Sequence, residues 1–253
     1  MSAAATIPSI ERSQGVSVTE EVFETLLAAI VSGDQVPGSR LPAERDLSQQ
    51  LGASRSALRE AIRRLTAWRL VEPRRGSGVV VRDPREWSIE VLPSFVRITA
   101  ASEGLQGLKR VAPLFLDLLQ IRKTVLAEVI TMTAGRIPKG GLDRTRALLK
   151  EAWEVRRDPV QFVSADFRMM RSVVEAAEMM PAVWMLNSVA GVYLGIAQQV
   201  SFGATVAEDY LEVMDVIFTA LERGEGEAAS RRLEAYLERH DRRLLTILEG
   251  LMA

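Results

Sequence analysis

Three arginines set the chemistry this sequence offers. Arg55, Arg59 and Arg63 recur at i, i+4 and i+8, which lines three guanidinium groups along one face of a helix. Each planar fork can bond bidentately to O6 and N7 of guanine in a DNA major groove. The plainer alternative is a solvated basic face on an ordinary helix. A second face of the same segment carries Ala57, Leu58, Ala61, Ile62 and Leu65, so the spacing predicts a helix that buries one side and offers the arginines on another. Ser54 precedes it as an N-cap, its hydroxyl placed to accept from a free N–H of the first turn.

The neighbouring segments narrow the choice. Residues 42–51 predict a shorter helix with Pro42 at its first position and Leu47 and Leu51 spaced to pack. Gly52 permits a tight turn before the arginine-bearing helix, and helix, short turn, helix is the helix-turn-helix layout. Leu70–Val71 and Val79–Val80–Val81 then flank the basic, glycine-rich tip Arg74–Arg75–Gly76–Ser77–Gly78, which predicts a β-hairpin wing. Between residues 40 and 82 ten arginines stand against four acids, a local footprint for phosphate. The formal net charge of −1 conceals it.

These motifs are specific enough to carry a resemblance. PGSRLPAERDL, then SRSALREAIRRL, then RRGSGVVV resemble, in order, the winged helix-turn-helix of the GntR family of bacterial transcription regulators. The resemblance implies a DNA interface made by Arg45, Ser54, Arg55, Ser56, Arg59 and Arg63, with the wing residues Arg74, Arg75 and Gly76 reaching the minor groove. It also implies a homodimer on a palindromic site, since one recognition helix covers too few base pairs. Arg63 and Arg64, further along the helix, are expected to act through phosphates.

The rest of the chain is read as helical. Ser17–Val18–Thr19–Glu20 fits a capping box before a first helix over residues 17–32, with Gly33 ending it. A short helix is expected over 87–99, a long one over 105–136, and others over 142–157, 159–179, 182–200, 206–223 and 227–251. The fold class is therefore mainly α: a winged helix-turn-helix followed by an all-α antiparallel bundle of six or seven helices. The expected boundaries are a disordered tail over 1–16, the DNA-binding domain over 17–83, a linker with the short helix over 84–104, and the bundle over 105–253. No signal-peptide pattern opens the chain, and cysteine is absent, which excludes disulfides, thiol catalysis and cysteine metal sites. A cytoplasmic protein is expected. Residues 179–207 hold no charge over 29 positions. Pro181, Asn187, Ser188, Gln198, Gln199 and Ser201 interrupt that run, which favours a central helix buried on all sides over a membrane span.

The bundle resembles that of the FadR subfamily of GntR regulators through LLQIRKTVLAEVI, DFRMMRSVVEAAEMMP and MLNSVAGVY. That resemblance implies a small acid or its thioester as effector. Most members hold a divalent metal with an aspartate and three histidines. Here the corresponding places fall near Asp166, Arg171, Met214 and Tyr236, and the lone histidine, His240, sits among charged residues and is expected to be solvated. No metal and no other cofactor is expected. Candidate effector contacts are Arg122, Arg171, Trp184, Asn187, Tyr193, Tyr210 and Met214. A buried Asn187 would require a partner, either a ligand or another side chain. Trp87, Trp153 and Trp184 read more as core than as pocket lining. Asn187 and Tyr193, six residues apart or about 9 Å along a helix, suit a long, largely apolar acid such as an acyl-CoA or fatty acid. A metal-dependent carboxylate sensor of the same family is the alternative. An acyl-group enzyme is disfavoured, for no nucleophile–base pair, phosphate loop or isolated carboxylate pair is present.

Overall fold

The computed structural model describes Ile7, residues 17–199 and residues 206–252. The tail expected over 1–16 lies, apart from Ile7, outside the described residues. The chain divides into two compact units, residues 1–104 and 105–253.

The first unit is built on three helices, α1 (Val18–Val31), α2 (Glu44–Gln50) and α3 (Arg55–Ala67), followed by strands β1 (Val71–Arg74) and β2 (Gly78–Val81). Ser17 caps α1, its Oγ accepting from the N–H of Glu20 at 3.2 Å. Glu20 does not complete the reciprocal cap that the sequence suggested. Its carboxylate instead accepts from Arg64 of α3 at 2.5 Å and 3.3 Å. α2 begins at Glu44 with Ala43 as its cap, so Pro42 lies just outside it. α3 starts where its serine places it: Ser54 Oγ accepts from the N–H of Ala57 at 3.2 Å.

Val22, Phe23, Leu26, Leu27, Leu47, Leu58, Leu65 and Leu70 are buried together, because each apolar stripe recurs once per helical turn. Trp68 meets Phe23 edge-on at 5.1 Å. β1 and β2 pair antiparallel from Val71↔Val81 to Arg74↔Gly78. Gly76 and Gly78 both adopt positive φ, 73° and 76°, which closes a tight tip at no steric cost. Residues 84–104 belong to this unit. Two 3-10 turns, Pro84–Glu86 and Ile89–Val91, lead into α4 (Leu92–Thr133), and Val91 and Ile98 join the same core. Pro93 falls in the first turn of α4, where a missing N–H costs nothing. Gly104 breaks α4 with φ 57° and ψ −128°.

The second unit holds the remainder of α4, then α5 (Asp143–Glu154), α6 (Pro159–Ala176), α7 (Met180–Gln199), α8 (Tyr210–Glu222) and α9 (Gly226–Met252). These are six helical segments. α5 packs on α6, α6 on α7, α8 on α9 and α5 on α8. Asp158 caps α6, accepting from the N–H groups of Val160 and Gln161 at 3.0 Å each. Ile130, Leu142, Met169, Val173, Tyr210 and Phe218 lie at the centre. A clamp ties α5 to α8. Arg146 donates to Glu222 at 3.0 Å and 3.1 Å and to Asp215 at 2.7 Å, while the N–H of Leu142 donates to Glu222 at 3.2 Å. The guanidinium of Arg146 holds the Glu222 carboxyl below the usual range.

One expectation fails outright. α7 is not buried on all sides: its uncharged stretch Met180–Gln198 is only 17 % buried. Val183, Leu186 and Val192 face the core, while Met180, Trp184 and Met185 are exposed. The sequence argument took absence of charge as burial, but a helix can be uncharged on a face that nothing in its own chain covers.

Candidate functional site

The arginine face forms as the spacing requires. Arg55 and Arg59 project from the first two turns of α3, exposed, on a different face from the buried Leu58 and Leu65. Ser54 and Ser56 are exposed beside them, their hydroxyls 2.9 Å apart. Arg55 has no ion-pair partner among the described residues. Arg59 Nε meets Glu44 Oε1 at 2.8 Å, which ties the second helix to the third across their exposed side. Arg45 pairs loosely with its neighbour Asp46 at 3.3 Å, with most of its side chain in solvent. Arg63 meets Glu60 one turn back at 2.6 Å. At the wing, Arg74 lies 3.4 Å from Glu72, while Arg75 is exposed with no carboxylate partner among the described residues and Gly76 stands at the tip.

Arg64 departs from expectation. Besides its bonds to Glu20, its guanidinium lies 3.7 Å over the ring of Phe23. A cation held between a carboxylate and an aromatic face is part of the packing of α1 on α3 and is not a phosphate contact. Position explains this: Arg64 lies between buried Ala61 and Leu65 in the chain, at the edge of the buried face.

The second unit contains a polar cluster that the sequence revealed only in part. Arg122 of α4 is bonded through Nη2 to the buried carboxylate of Asp241 on α9, and its Nε is buried without a partner. Tyr210, fully buried, donates to Asp166 Oδ1 at 2.7 Å. Burial pushes the Asp166 carboxyl above its usual range, against the opposing pull of Tyr210, His240 and Arg122. Burial likewise raises the Tyr193 hydroxyl, with the charges of Arg122 and Asp241 close by. A run of rings joins these groups. Trp153 stacks on Tyr210 at 6.3 Å, Phe162 meets Tyr210 edge-on at 5.4 Å, Tyr236 lies 5.9 Å from Tyr210, and His240 stacks on Tyr236 at 5.8 Å.

His240 is therefore not the solvated residue expected from its charged neighbours. Burial holds its imidazole below the ordinary value. The sequence did contain the signal. Leu233, Tyr236, Leu237, His240 and Asp241 recur at i, i+3, i+4, i+7 and i+8, so His240 and Asp241 continue the buried stripe of α9. Asp166, Tyr236, His240 and Asp241 are the members that the list of candidate contacts omitted.

Of the expected effector residues, the structure brings Arg122, Tyr193, Tyr210 and Met214 into this interior. Arg171 pairs with Glu175 one turn on, at 3.0 Å, and its Nε is buried without a hydrogen-bond partner among the described residues. Asn187 is exposed, so the argument from a buried amide does not apply to it. Trp184 is 62 % exposed and is neither core nor interior lining. Trp153 and Trp87 do pack against the cores of their units. Among the described residues no group of three or more His, Cys, Asp or Glu side chains converges as a metal site would require. Where metal-binding members of the resembled family place imidazoles, this chain has Arg171, Met214 and Tyr236.

The comparisons with known proteins bear on both units. The model of the bacterial regulatory proteins of the gntR family matches residues 18–81, and that of the FCD domain matches residues 117–239. The HTH-type transcriptional regulator Mce2R of Mycobacterium tuberculosis is 47 % identical over 78 residues, which is 30 % of this chain and 32 % of that protein. The chain thus matches about a third of the length of that relative, in one stretch. The galactonate operon transcriptional repressor of Escherichia coli is 25 % identical over 90 % of this chain and 97 % of its own. The fatty acid metabolism regulator protein of Edwardsiella ictaluri is 28 % identical over 69 % of each chain. The winged three-helix unit and the helical unit after it, matched in that order, place the chain in the GntR family of bacterial regulators, with a C-terminal domain of the FCD type.

Proposed function

We propose that the protein is a ligand-responsive, DNA-binding transcription regulator that works in the cytoplasm as a homodimer on a palindromic operator, and that it is not an enzyme. The observation that carries this reading is the exposed row of Arg55 and Arg59 at the start of α3, with Arg75 of the wing exposed as well. Such a row costs nothing to the fold and fits a major groove, while the wing arginines meet the adjacent backbone or minor groove. Arg45, Ser54, Ser56, Arg63, Arg74 and Gly76 complete the interface.

The effector site is the interior cluster of the FCD-type unit. The buried Nε of Arg122, unpartnered among the described residues, suits the carboxylate of an organic acid. Met214 and Phe162 belong to the apolar core of the same unit. One relative is named for a galactonate operon and another for fatty acid metabolism, and an acid is common to both. The finer reading is a largely apolar acid, an acyl-CoA or fatty acid, held without metal. The absence of an imidazole set favours it over a metal-dependent carboxylate sensor. The exposure of Asn187 removes one of its earlier supports. To act as a switch, the ligand must favour one arrangement of the unit over the DNA-competent one. A coupling of roughly 1–3 kcal/mol would change DNA affinity about 5–150-fold.

The test is a mobility shift on a labelled fragment of the protein's own promoter region. Long-chain acyl-CoA, free fatty acid and a short dicarboxylate are each added with and without a chelator. The proposal expects a sequence-specific shift, altered by an acyl ligand and insensitive to chelator. No specific shift would overturn the DNA-binding reading. A response abolished by chelator would overturn the metal-free one, and a response to dicarboxylate alone would overturn the acyl one.

A further inference from the structure

We infer that the exposed face of α7 is the surface on which a second copy of this chain docks. The inference rests on the homodimer reading above and says where its two-fold contact lies. At 100° per residue Met180, Trp184, Asn187, Gly191 and Gln198 fall within about 60° of one another on the helix, and all are exposed. Trp184 is 62 % exposed and Met180 47 %. A large indole in water at the middle of an uncharged face is a residue type concentrated at the centres of protein interfaces.

Gly191 adds an independent observation. It sits within α7, where glycine is unfavourable relative to alanine. A Cβ built there meets nothing within 4 Å. The chain's own packing therefore gives no reason for glycine at this position, whereas a helix approaching from outside does. Gly195 follows one turn on. One face thus presents a knob at Trp184 and a gap at Gly191, about two turns away. Laid antiparallel on its own copy about a two-fold axis, the knob of each α7 covers the gap of the other, as an isologous interface requires.

Charge and area agree with a second copy as the occupant. Residues 179–207 carry no charge, so the face meets itself without like-charge repulsion. A fully buried tryptophan covers on the order of 200 Å², and Trp184 with Met180 exposes on the order of 250 Å² per copy on that scale. A pair of such faces is about half of the roughly 1,200 Å² at which stable interfaces begin. α4 supplies the remainder. Leu114, Ile121, Val125 and Met132 are 38 %, 59 %, 36 % and 52 % exposed. Spaced by seven, four and seven residues, they form one straight row of about the same area. Both helices pack on one core, Val129 and Ile130 of α4 with Val183 and Leu186 of α7.

Two variants of the full-length chain test this. Gly191→Leu fills the gap in a place where the chain's own atoms leave room, so its circular dichroism and melting should match the parent. Its dimer dissociation constant by sedimentation should rise at least tenfold. Ser188→Cys, the only cysteine in the variant, takes a nitroxide label on the same exposed face. With helix axes 8–10 Å apart and two label arms, the spin–spin distance in the dimer should be under about 25 Å. A dimer that persists in Gly191→Leu, or a longer distance, overturns the α7 interface and leaves the homodimer reading standing. A parent protein that stays monomeric at high micromolar concentration overturns the homodimer reading itself. Co-flotation of the parent with neutral phosphatidylcholine vesicles would assign the face to lipid and overturn the inference.

Discussion

Arginine is used in opposite ways by the two units. In the first, Arg45, Arg55, Arg59, Arg63, Arg74 and Arg75 lie in solvent, and those with a carboxylate partner hold it at the surface. Exposed pairs of this kind contribute about 0.2–1 kcal/mol, so the cations remain available to another partner. In the second, Arg146 is enclosed by Asp215, Thr219 and Glu222, and Arg122 is bonded to a buried aspartate. There arginine holds helices together, and among the described residues Arg122 and Arg171 each leave a buried Nε without a partner. The same residue type serves recognition where its neighbours leave it wet, and architecture where they close around it.

Experiments can break that contrast, beginning with the largest expected effect. The double change Arg55→Ala with Arg59→Ala should remove specific operator binding, with melting unchanged. Each base-reading arginine is worth about 1–3 kcal/mol of discrimination, so each single change should weaken the cognate site about 5–150-fold. Unchanged affinity in both single variants, measured by fluorescence anisotropy, would remove the assignment.

Glu222→Ala should act in the other unit and in the other observable. It strips two bonds from Arg146 and the one from Leu142. Charged hydrogen bonds of this kind contribute about 1.5–3 kcal/mol each before relaxation. Losing a few kcal/mol here should lower Tm by several degrees, at about 2–4 °C per kcal/mol for a chain of this size. A variant with unaltered Tm and altered DNA binding would show the clamp to be something else.

The Asp166–Tyr210 pair sharpens the point about buried charge. Tyr210→Phe leaves the desolvated carboxylate of Asp166 without its donor and should cost on the order of 1–3 kcal/mol. Asp166→Asn keeps an acceptor and removes the charge, so Tm should stay level or rise. Equal losses in the two variants would contradict the reading of Asp166 as a strained carboxylate.

The pH effect is smaller. Burial lowers the affinity of His240 for a proton, with Tyr236, Asp241, Arg122 and Asp166 around it. The unfolded chain takes up that proton near the ordinary value of 6.5, so stability present above this pH is lost as the pH falls below it. Asp166 works in the opposite sense: its raised carboxyl contributes stability at low pH that is lost as pH rises above the ordinary 3.8. Comparing denaturant midpoints of the parent and His240→Gln between pH 5 and 7.5 isolates the histidine. The parent should lose more on acidification, and parallel curves would refute the effect.

What was legible in the sequence follows the same division. The DNA-binding unit is built from local signals. The Ser54 cap, the i, i+4 arginines and the Gly76 tip each depend on a few adjacent residues, and each formed as expected. The interior cluster joins α4, α6, α7, α8 and α9, and only folding brings Arg122 to Asp241, 119 positions later. Tyr210 and Arg122 could be suspected as polar groups on apolar helices, but their partners could not. Asn187 and Trp184 were misplaced for a related reason. An uncharged helix predicts the absence of water from its surface in the working molecule, and it does not say whether its own chain or another supplies the cover.

The most direct measurement uses two arginines five residues apart on α3. Arg59→Ala and Arg64→Ala are each assayed for operator affinity and for Tm. Arg59 is exposed and Arg64 is held between Glu20 and Phe23. The account predicts that Arg59→Ala loses affinity about 5–150-fold with Tm unchanged, and that Arg64→Ala lowers Tm while the folded protein binds as before. The reverse pattern, or the same pattern in both variants, would contradict it.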